Sequence, residues 1–247
     1  MANLIIDIGN SRSKIAIFDG RQLSKLEVVE TLTVGIIDSY LKTENISKSI
    51  LSSVGDDQND IKNLLKKSTS YYEFSTRIKT QINLLYQSPE TLGLDRFAAV
   101  IAANALFKEF NCLVIDSGTC ITYDFVNSAG DYRGGSISLG LNMRFDALDK
   151  FTKRLPLLNI SPEFDEWFGE DTANSILSGV QQGAYAEVIG FIEHYEKLYP
   201  NLKIILCGGD SEFFGSRLKN SIFAEAVKII PNLVLIGLNE VIYQHND

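Results

Sequence analysis

Two aspartates, each closing an apolar run and each followed by a glycine turn, are the residues of this chain best suited to chemistry. Residues 4–19 read LIIDIGNSRSKIAIFD and residues 113–126 read LVIDSGTCITYDFV. Asp7 aligns with Asp116, Gly9 with Gly118, and Asn10-Ser11 with Thr119-Cys120. In each copy a buried-strand pattern leads into a small-residue turn and a second β-rich run, the signature of a hairpin. A carboxylate at the mouth of such a turn can hold a hydrated metal, and backbone N–H groups exposed around a glycine can cradle phosphate. Two such hairpins predict a phosphate clamp and a nucleotide-dependent phosphotransferase. The plain alternative is an Asx-Gly turn with no ligand; the second copy argues against it.

Other candidates stand where the surrounding elements could position them. Gly93-Leu94-Asp95-Arg96 opens an Ala-rich helical stretch, FAAVIAANALF. Asp95 there is either a general base or a helix-stabilising first-turn carboxylate. Arg96 is either a solvated helix residue or a guanidinium fork for an anionic substrate. Asp171-Thr172 precedes another helix and reads equally well as a capping pair. Gly208-Gly209 follows the strand KIILC and reads as a strand-to-helix turn or as a place for adenine or ribose against bare backbone. Alternation along the first hairpin leaves the direction of Lys14 open. Only His194 and His245 occur, both outside every motif, so histidine catalysis is not expected.

The pattern predicts α/β structure in both halves, with antiparallel hairpins feeding parallel strands. Strands are expected at Leu4–Ile8, Ser13–Phe18, Leu23–Val29, Ser49–Val54, Tyr71–Phe74, Cys112–Ile115 and Lys203–Cys207. Helices are expected over Val34–Leu41, Asp60–Lys67, the stretch after Pro89, Met143–Lys153, Thr172–Leu198 and from Glu212, and Asn232–Val241 closes the chain. No Ser/Pro-rich linker separates the halves. The expected domains are residues 1–110 and 111–247.

At 247 residues with 45% hydrophobic content the chain suffices for one large or two ordinary domains. A net charge of −8 argues against nucleic acid or an anionic membrane as the main partner. The first residues lack a signal-peptide pattern, and no apolar run reaches membrane-spanning length. Three cysteines without a CxxC argue against a disulfide framework or zinc site, so a cytoplasmic location is expected.

Six segments together resemble the type III pantothenate kinases, within the acetate and sugar kinase/Hsp70/actin superfamily. They are Asp7–Lys14 (DIGNSRSK), Gly93–Arg96 (GLDR) with Tyr86 upstream, Asp116–Thr119 (DSGT), Gly134–Gly140 (GGSISLG), Thr172–Gly179 and Cys207-Gly208-Gly209 (CGG). The resemblance covers nearly the whole chain. It implies two similar actin/ribonuclease-H-like domains with mixed sheets and a nucleotide cleft between them. It implies ATP-dependent phosphorylation of pantothenate, the first step of coenzyme A biosynthesis, in a homodimer whose active sites are completed across the interface. Asp95 would be the general base. Asp7, Ile8, Gly9, Asn10, Ser11, Arg12, Ser13, Lys14, Thr119, Gly208 and Gly209 would bind ATP. Tyr86, Gly93, Leu94, Asp95, Arg96 and Thr172 would bind substrate. Asp7 would hold Mg2+ through water, and Asp116 a monovalent activator, K+ or NH4+. Cys120, Leu139 and Cys207 depart from the family pattern, and none removes a charged group. The rival expectations are a catalytically silent nucleotide-binding accessory protein, a kinase for another small hydroxylated substrate, and an actin-like assembly protein.

Overall fold

The computed structural model describes residues 2–9, 12–53 and 58–245. The chain divides into two compact units. The first holds residues 1–108, 129–133 and 232–247, and the second residues 109–128 and 134–231. The expected boundary after residue 110 falls near the change at residues 108–109. It misassigns the C-terminal segment, which belongs with the first unit. The reason is an apolar C-terminal helix whose Asn239 and Glu240 bond to Asn3, Gly20 and Arg21 of the first unit.

The first unit contains β1 (Ala2–Ile8), β2 (Ser13–Asp19), β3 (Gln22–Val29), α1 (Val34–Thr43), β4 (Ile46–Ser53), α2 (Asn59–Ser68), β5 (Ser70–Glu73), β6 (Asn83–Leu84) and α3 (Leu94–Leu106). Its main sheet runs β3-β2-β1-β4-β5. β1 pairs antiparallel with β2 and parallel with β4, so it lies mid-sheet and is apolar on both faces. On one face Leu4, Ile6, Ile15, Ile17 and Leu51 meet Ile37, Tyr40, Ile61 and Leu65 of α1 and α2. Thr33 caps α1 by accepting from the Ile36 N–H at 3.3 Å. The short β6 pairs in parallel with Asp131 and Tyr132, which also belong to this unit.

The second unit contains β7 (Cys112–Ser117), β8 (Cys120–Val126), most of β9 (Asp131–Leu139), α4 (Leu141–Phe151), α5 (Thr172–Leu177), α6 (Gly183–Leu198), β10 (Lys203–Cys207), α7 (Ser211–Leu218) and β11 (Val227–Ile229). The strands run β11-β10-β7-β8-β9, with β7–β8 antiparallel and β10 parallel to both β7 and β11. The hairpin-then-parallel-strand order of the first unit thus recurs. Its core joins Leu113, Ile115, Ile121, Tyr123, Ile204 and Leu206 to Phe145, Val188, Ile192, Phe214 and Leu218. The pattern reading found Gly134-Gly135 but not β9. Glycines weaken a strand signal, yet here one is required: a Cβ on Gly135 would lie 1.7 Å from the Tyr123 carbonyl oxygen.

Helix α8 (Leu233–Gln244) returns to the first unit. Asn3 Nδ2 donates to Asn239 Oδ1 at 2.8 Å, and Asn239 Nδ2 donates to the Gly20 carbonyl at 3.1 Å. Arg21 grips Glu240 with two bonds of 3.0 and 3.1 Å. Asn3, Ile5 and Asp7 share a face, opposite Leu4 and Ile6. α8 therefore covers the face that carries Asp7, and α3 packs against α8. The two helices approach closely because a Cβ on Gly237 would lie 1.9 Å from the Ala98 carbonyl oxygen. Gly237→Ala should cost about 1–3 kcal/mol by overpacking. Urea unfolding checks this; an unchanged midpoint would mean the helices have slack at that point.

Candidate active site

The first unit assembles its candidates on the α3/α8 face. In the sheet register Asp7 stands opposite Lys14 on β2 and beside Ser52 on β4. Register partners point to one face, so Lys14, Asp7 and Ser52 form a row across three strands. This answers the open question about Lys14, which shares the face of Asp7. Ile8 and Ser13 alternate to the other face and offer only backbone to this one. The Gly9 N–H closes the turn on the Arg12 carbonyl at 3.1 Å. Asn10 and Ser11 lie outside the described residues.

Helix α3 begins on the same side of the sheet. Phe74 follows β5, donates its N–H to the Leu51 carbonyl, and stacks on Phe97 with ring centres 5.7 Å apart. These contacts bring the first turn of α3 to the end of β4. In that turn Asp95 Oδ1 accepts from the Arg96 N–H at 2.8 Å. The carboxylate folds back over Gly93, where a Cβ would stand 2.6 Å from Oδ1; this explains the glycine two residues before the aspartate. The Arg96 side chain is buried. Tyr86 is half-buried and stacks on Tyr132 at 6.5 Å.

The second unit packs its candidates into one node. Asp116 stands opposite Thr122 and beside Cys207. Gly208 has φ +88°, and a Cβ there would meet the Ser117 carbonyl oxygen at 2.3 Å and Asp116 Oδ1 at 2.4 Å. Ser117 Oγ donates to the Cys207 carbonyl at 3.0 Å, and the Asp210 N–H to the Ser117 carbonyl at 2.9 Å. The Gly140 N–H donates to the Thr119 carbonyl at 3.1 Å, joining the start of α4 to the same turn. Gly209 has open space at its Cβ position. Burial raises the Asp210 carboxyl above its ordinary range. The expected adenosine and second phosphate segments are therefore in contact, although about ninety residues separate them.

Thr172 lies elsewhere in this unit, on a cavity of about 990 Å3 that Arg144, Phe151, Thr172 and Gly179 help to line. Asp171 does the capping, accepting from the Asn174 N–H at 2.8 Å, so Thr172 is not needed for it. Arg144 is held by Glu187 at 2.6 Å, and Glu187 also accepts from the Tyr123 and Ser138 hydroxyls. Burial, then Glu187, pushes the Tyr123 hydroxyl far up. Between α5 and α6 the helix widens to a π-turn over Ser178–Gln182. There Gln181 exchanges two bonds with the Ser161 backbone, at 2.8 and 3.0 Å. The sequence reading did not single out Ser52, Thr122 or Arg144. Register with the two aspartates would have found the first two.

A family model for type III pantothenate kinase matches residues 3–194. The chain belongs to the type III pantothenate kinase family. A relative from Phocaeicola vulgatus named type III pantothenate kinase is 40% identical over 99% of both chains. One of the same name from Christiangramia forsetii is 41% identical over 96% of both. Among solved structures, the activator of 2-hydroxyisocaproyl-CoA dehydratase from Clostridium difficile, with bound ADPNP, has a TM-score of 0.56 at 14% identity. It covers 100% of this chain and 95% of that one, which shows a shared fold.

The metals expected in this pantothenate kinase family member can be tested against the residues present. No cluster of three or more His, Cys, Asp or Glu occurs among the described residues. Asp7, one carboxylate at a strand end, fits a divalent ion that keeps most of its waters. At Asp116 the Gly208 backbone lies against the carboxylate, and buried Thr122 Oγ1 has no partner among the described residues. Two oxygens side by side fit a weakly held cation.

Cys112 and Cys207 are buried, and burial pushes the Cys112 thiol up to about 12. Cys120, beside Thr119, is half-buried. At pH 8 iodoacetamide should therefore alkylate Cys120 well before the other two, and Mg·ATP should slow it. Mass spectrometry of tryptic peptides decides; equal labelling of all three would contradict the burial.

Proposed function

We propose that this protein transfers the γ-phosphoryl group of ATP to the primary hydroxyl of pantothenate. The product is 4'-phosphopantothenate, and the step is the first towards coenzyme A. The observation that carries this reading is the family match that spans both aspartate hairpins, in a chain whose first unit holds Asp7 opposite Lys14 and Asp95 in the first turn of α3. Three free cysteines, and no helix long and apolar enough to cross a membrane among the described residues, support a cytoplasmic setting.

The residues divide the work of phosphoryl transfer, which is mostly positioning and charge neutralisation. Asp95 has one oxygen committed to the Arg96 N–H, which leaves the other to accept the hydroxyl proton. The hydroxyl oxygen then bonds to the γ-phosphorus as the bond to the β–γ bridging oxygen breaks. Arg96 holds the substrate carboxylate. Lys14, on the face of Asp7, neutralises phosphate charge. The turns at Gly9 and Gly118 with Thr119 supply donors to phosphate, and Gly208-Gly209 leaves room for the nucleoside. Mg2+ bound through water at Asp7 would supply further charge neutralisation, and K+ or NH4+ at Asp116 and Thr122 would do so in the second unit. No phosphoenzyme is required.

The decisive assay is ADP release with ATP, magnesium, potassium and pantothenate, each omitted in turn. Pantothenate-dependent turnover that falls when sodium replaces potassium is expected. ATP binding without turnover would favour an accessory protein instead. Asp95→Asn should lower kcat by roughly 10²- to 10⁴-fold with ATP affinity retained; wild-type turnover would remove the base assignment.

We propose also that the protein is a homodimer joined through the α4 side of the second unit. Phe151 is 85% exposed, and Ile137 and Leu139 on β9 are exposed as well. Such a set of apolar groups beside an open cavity marks an interaction surface, and a second copy placed there would lie against Thr172. Phe151→Asp should convert a sedimenting dimer to monomer; a wild type already monomeric at micromolar concentration would sink the proposal.

A further inference from the structure

β4 carries four serines, and three of them are satisfied. Ser47 Oγ donates to the Ala2 carbonyl at 3.4 Å, and Ser49 Oγ pairs with Thr69 Oγ1 at 2.6 Å. Ser53 also has a partner. Ser52 is 1% exposed, and its Oγ has no hydrogen-bond partner among the described residues. An unpaired hydroxyl at such a depth is unfavourable, and alanine would fill the same place without that penalty.

The position of this hydroxyl is informative. It stands in register beside Asp7, on the face that also carries Lys14 and the start of α3. The second unit repeats the arrangement. There β10 runs parallel to β7 as β4 does to β1, and it places Cys207, another small side chain, beside Asp116. Each carboxylate thus has a small neighbour on its parallel strand. Only in the first unit does that neighbour carry a hydroxyl.

We infer that Ser52 is a positioning residue for the Asp7 carboxylate in the nucleotide-bound enzyme. Its hydroxyl donates to Asp7 once the carboxylate turns to the water shell of the divalent ion, and so fixes the carboxylate's orientation. In the free protein the hydroxyl makes no bond to any of the described residues. The inference rests on the kinase reading and adds to it a residue that the family motifs quoted above do not include.

The test separates a hydroxyl used only with ligand from one that supports the fold. Wild type, Ser52→Ala and Ser52→Thr would be compared by thermal unfolding without ligand. Mn2+ binding in the presence of ADP would then be measured by electron paramagnetic resonance. Ser52→Ala should be at least as stable as wild type when free, yet bind Mn2+ roughly threefold to tenfold more weakly, the worth of one hydrogen bond. Its affinity for ADP without metal should be unchanged. Ser52→Thr, which keeps the hydroxyl on a strand-compatible side chain, should retain wild-type affinity. Equal Mn2+ affinity in Ser52→Ala, a clear loss of stability in its free form, or a threonine variant as weak as alanine would each overturn the assignment. A wild type that binds no Mn2+ with ADP would overturn the kinase reading and the inference together.

Discussion

A carboxylate is costly to bury in a strand packed on both faces unless it is paired, and this constraint favours placing Asp7 and Asp116 near the ends of their strands. β1 and β7 are central strands with three or more consecutive fully buried apolar residues, and each loses that character at its aspartate. From that point the neighbours must be polar or small: Lys14 and Ser52 around Asp7, Thr122 and Cys207 around Asp116. The sheet register sets these rows, so one choice of strand end determines three positions at once. A one-residue slip would turn every group of the row to the opposite face.

The two units support their rows differently. In the first, the row lies under helices. α3 and α8 cross closely at Gly237 and Ala98, and the Phe74–Phe97 stack brings Asp95 to the end of β4. In the second, backbone packs directly on backbone. A Cβ on Gly140 would stand 2.2 Å from the Gly118 carbonyl oxygen, and one on Gly208 would strike Ser117 and Asp116. Side chains are excluded there because three turns occupy one small volume. The phosphate and nucleoside segments are thus rigid parts of a single packed node.

Much of this was legible in the sequence because it rests on local signals. The hairpins, the KIILC strand and the helix after GLDR all follow from periodicity and turn residues. The duplicated aspartate announced the repeated topology. Other features depend on contacts distant in sequence. β9 was hidden by Gly134 and Gly135, the second of which is required because Tyr123 of another strand passes close by. Ser52 and Thr122 acquire meaning only from register, since SILSS and TCIT look like ordinary strand residues. The second hairpin is also one residue shorter than the first: Asp7 pairs seven residues on, with Lys14, and Asp116 six residues on, with Thr122. Alignment of the two motifs therefore does not align their cross-strand partners. The C-terminal segment was given neither a secondary-structure type nor a place in the first unit, because nothing local in LVLIGLNEVIYQ says which sheet it covers.

That return of α8 also orders events during synthesis. The second unit is drawn from one stretch, interrupted only at residues 129–133, and has all its strands and helices once residue 231 is made. The first unit begins at the N-terminus, yet the face bearing Asp7 lacks the cover of α8 until residues 233–244 have left the ribosome. Until then Ile5 and Ala98 lack the apolar side chains that α8 brings, and Asn3 lacks Asn239. The usual N-to-C order of domain maturation is thereby reversed. The half of the enzyme that carries the proposed base is completed last, so a nascent chain ending at residue 231 holds every segment of the second unit and a first unit without α8.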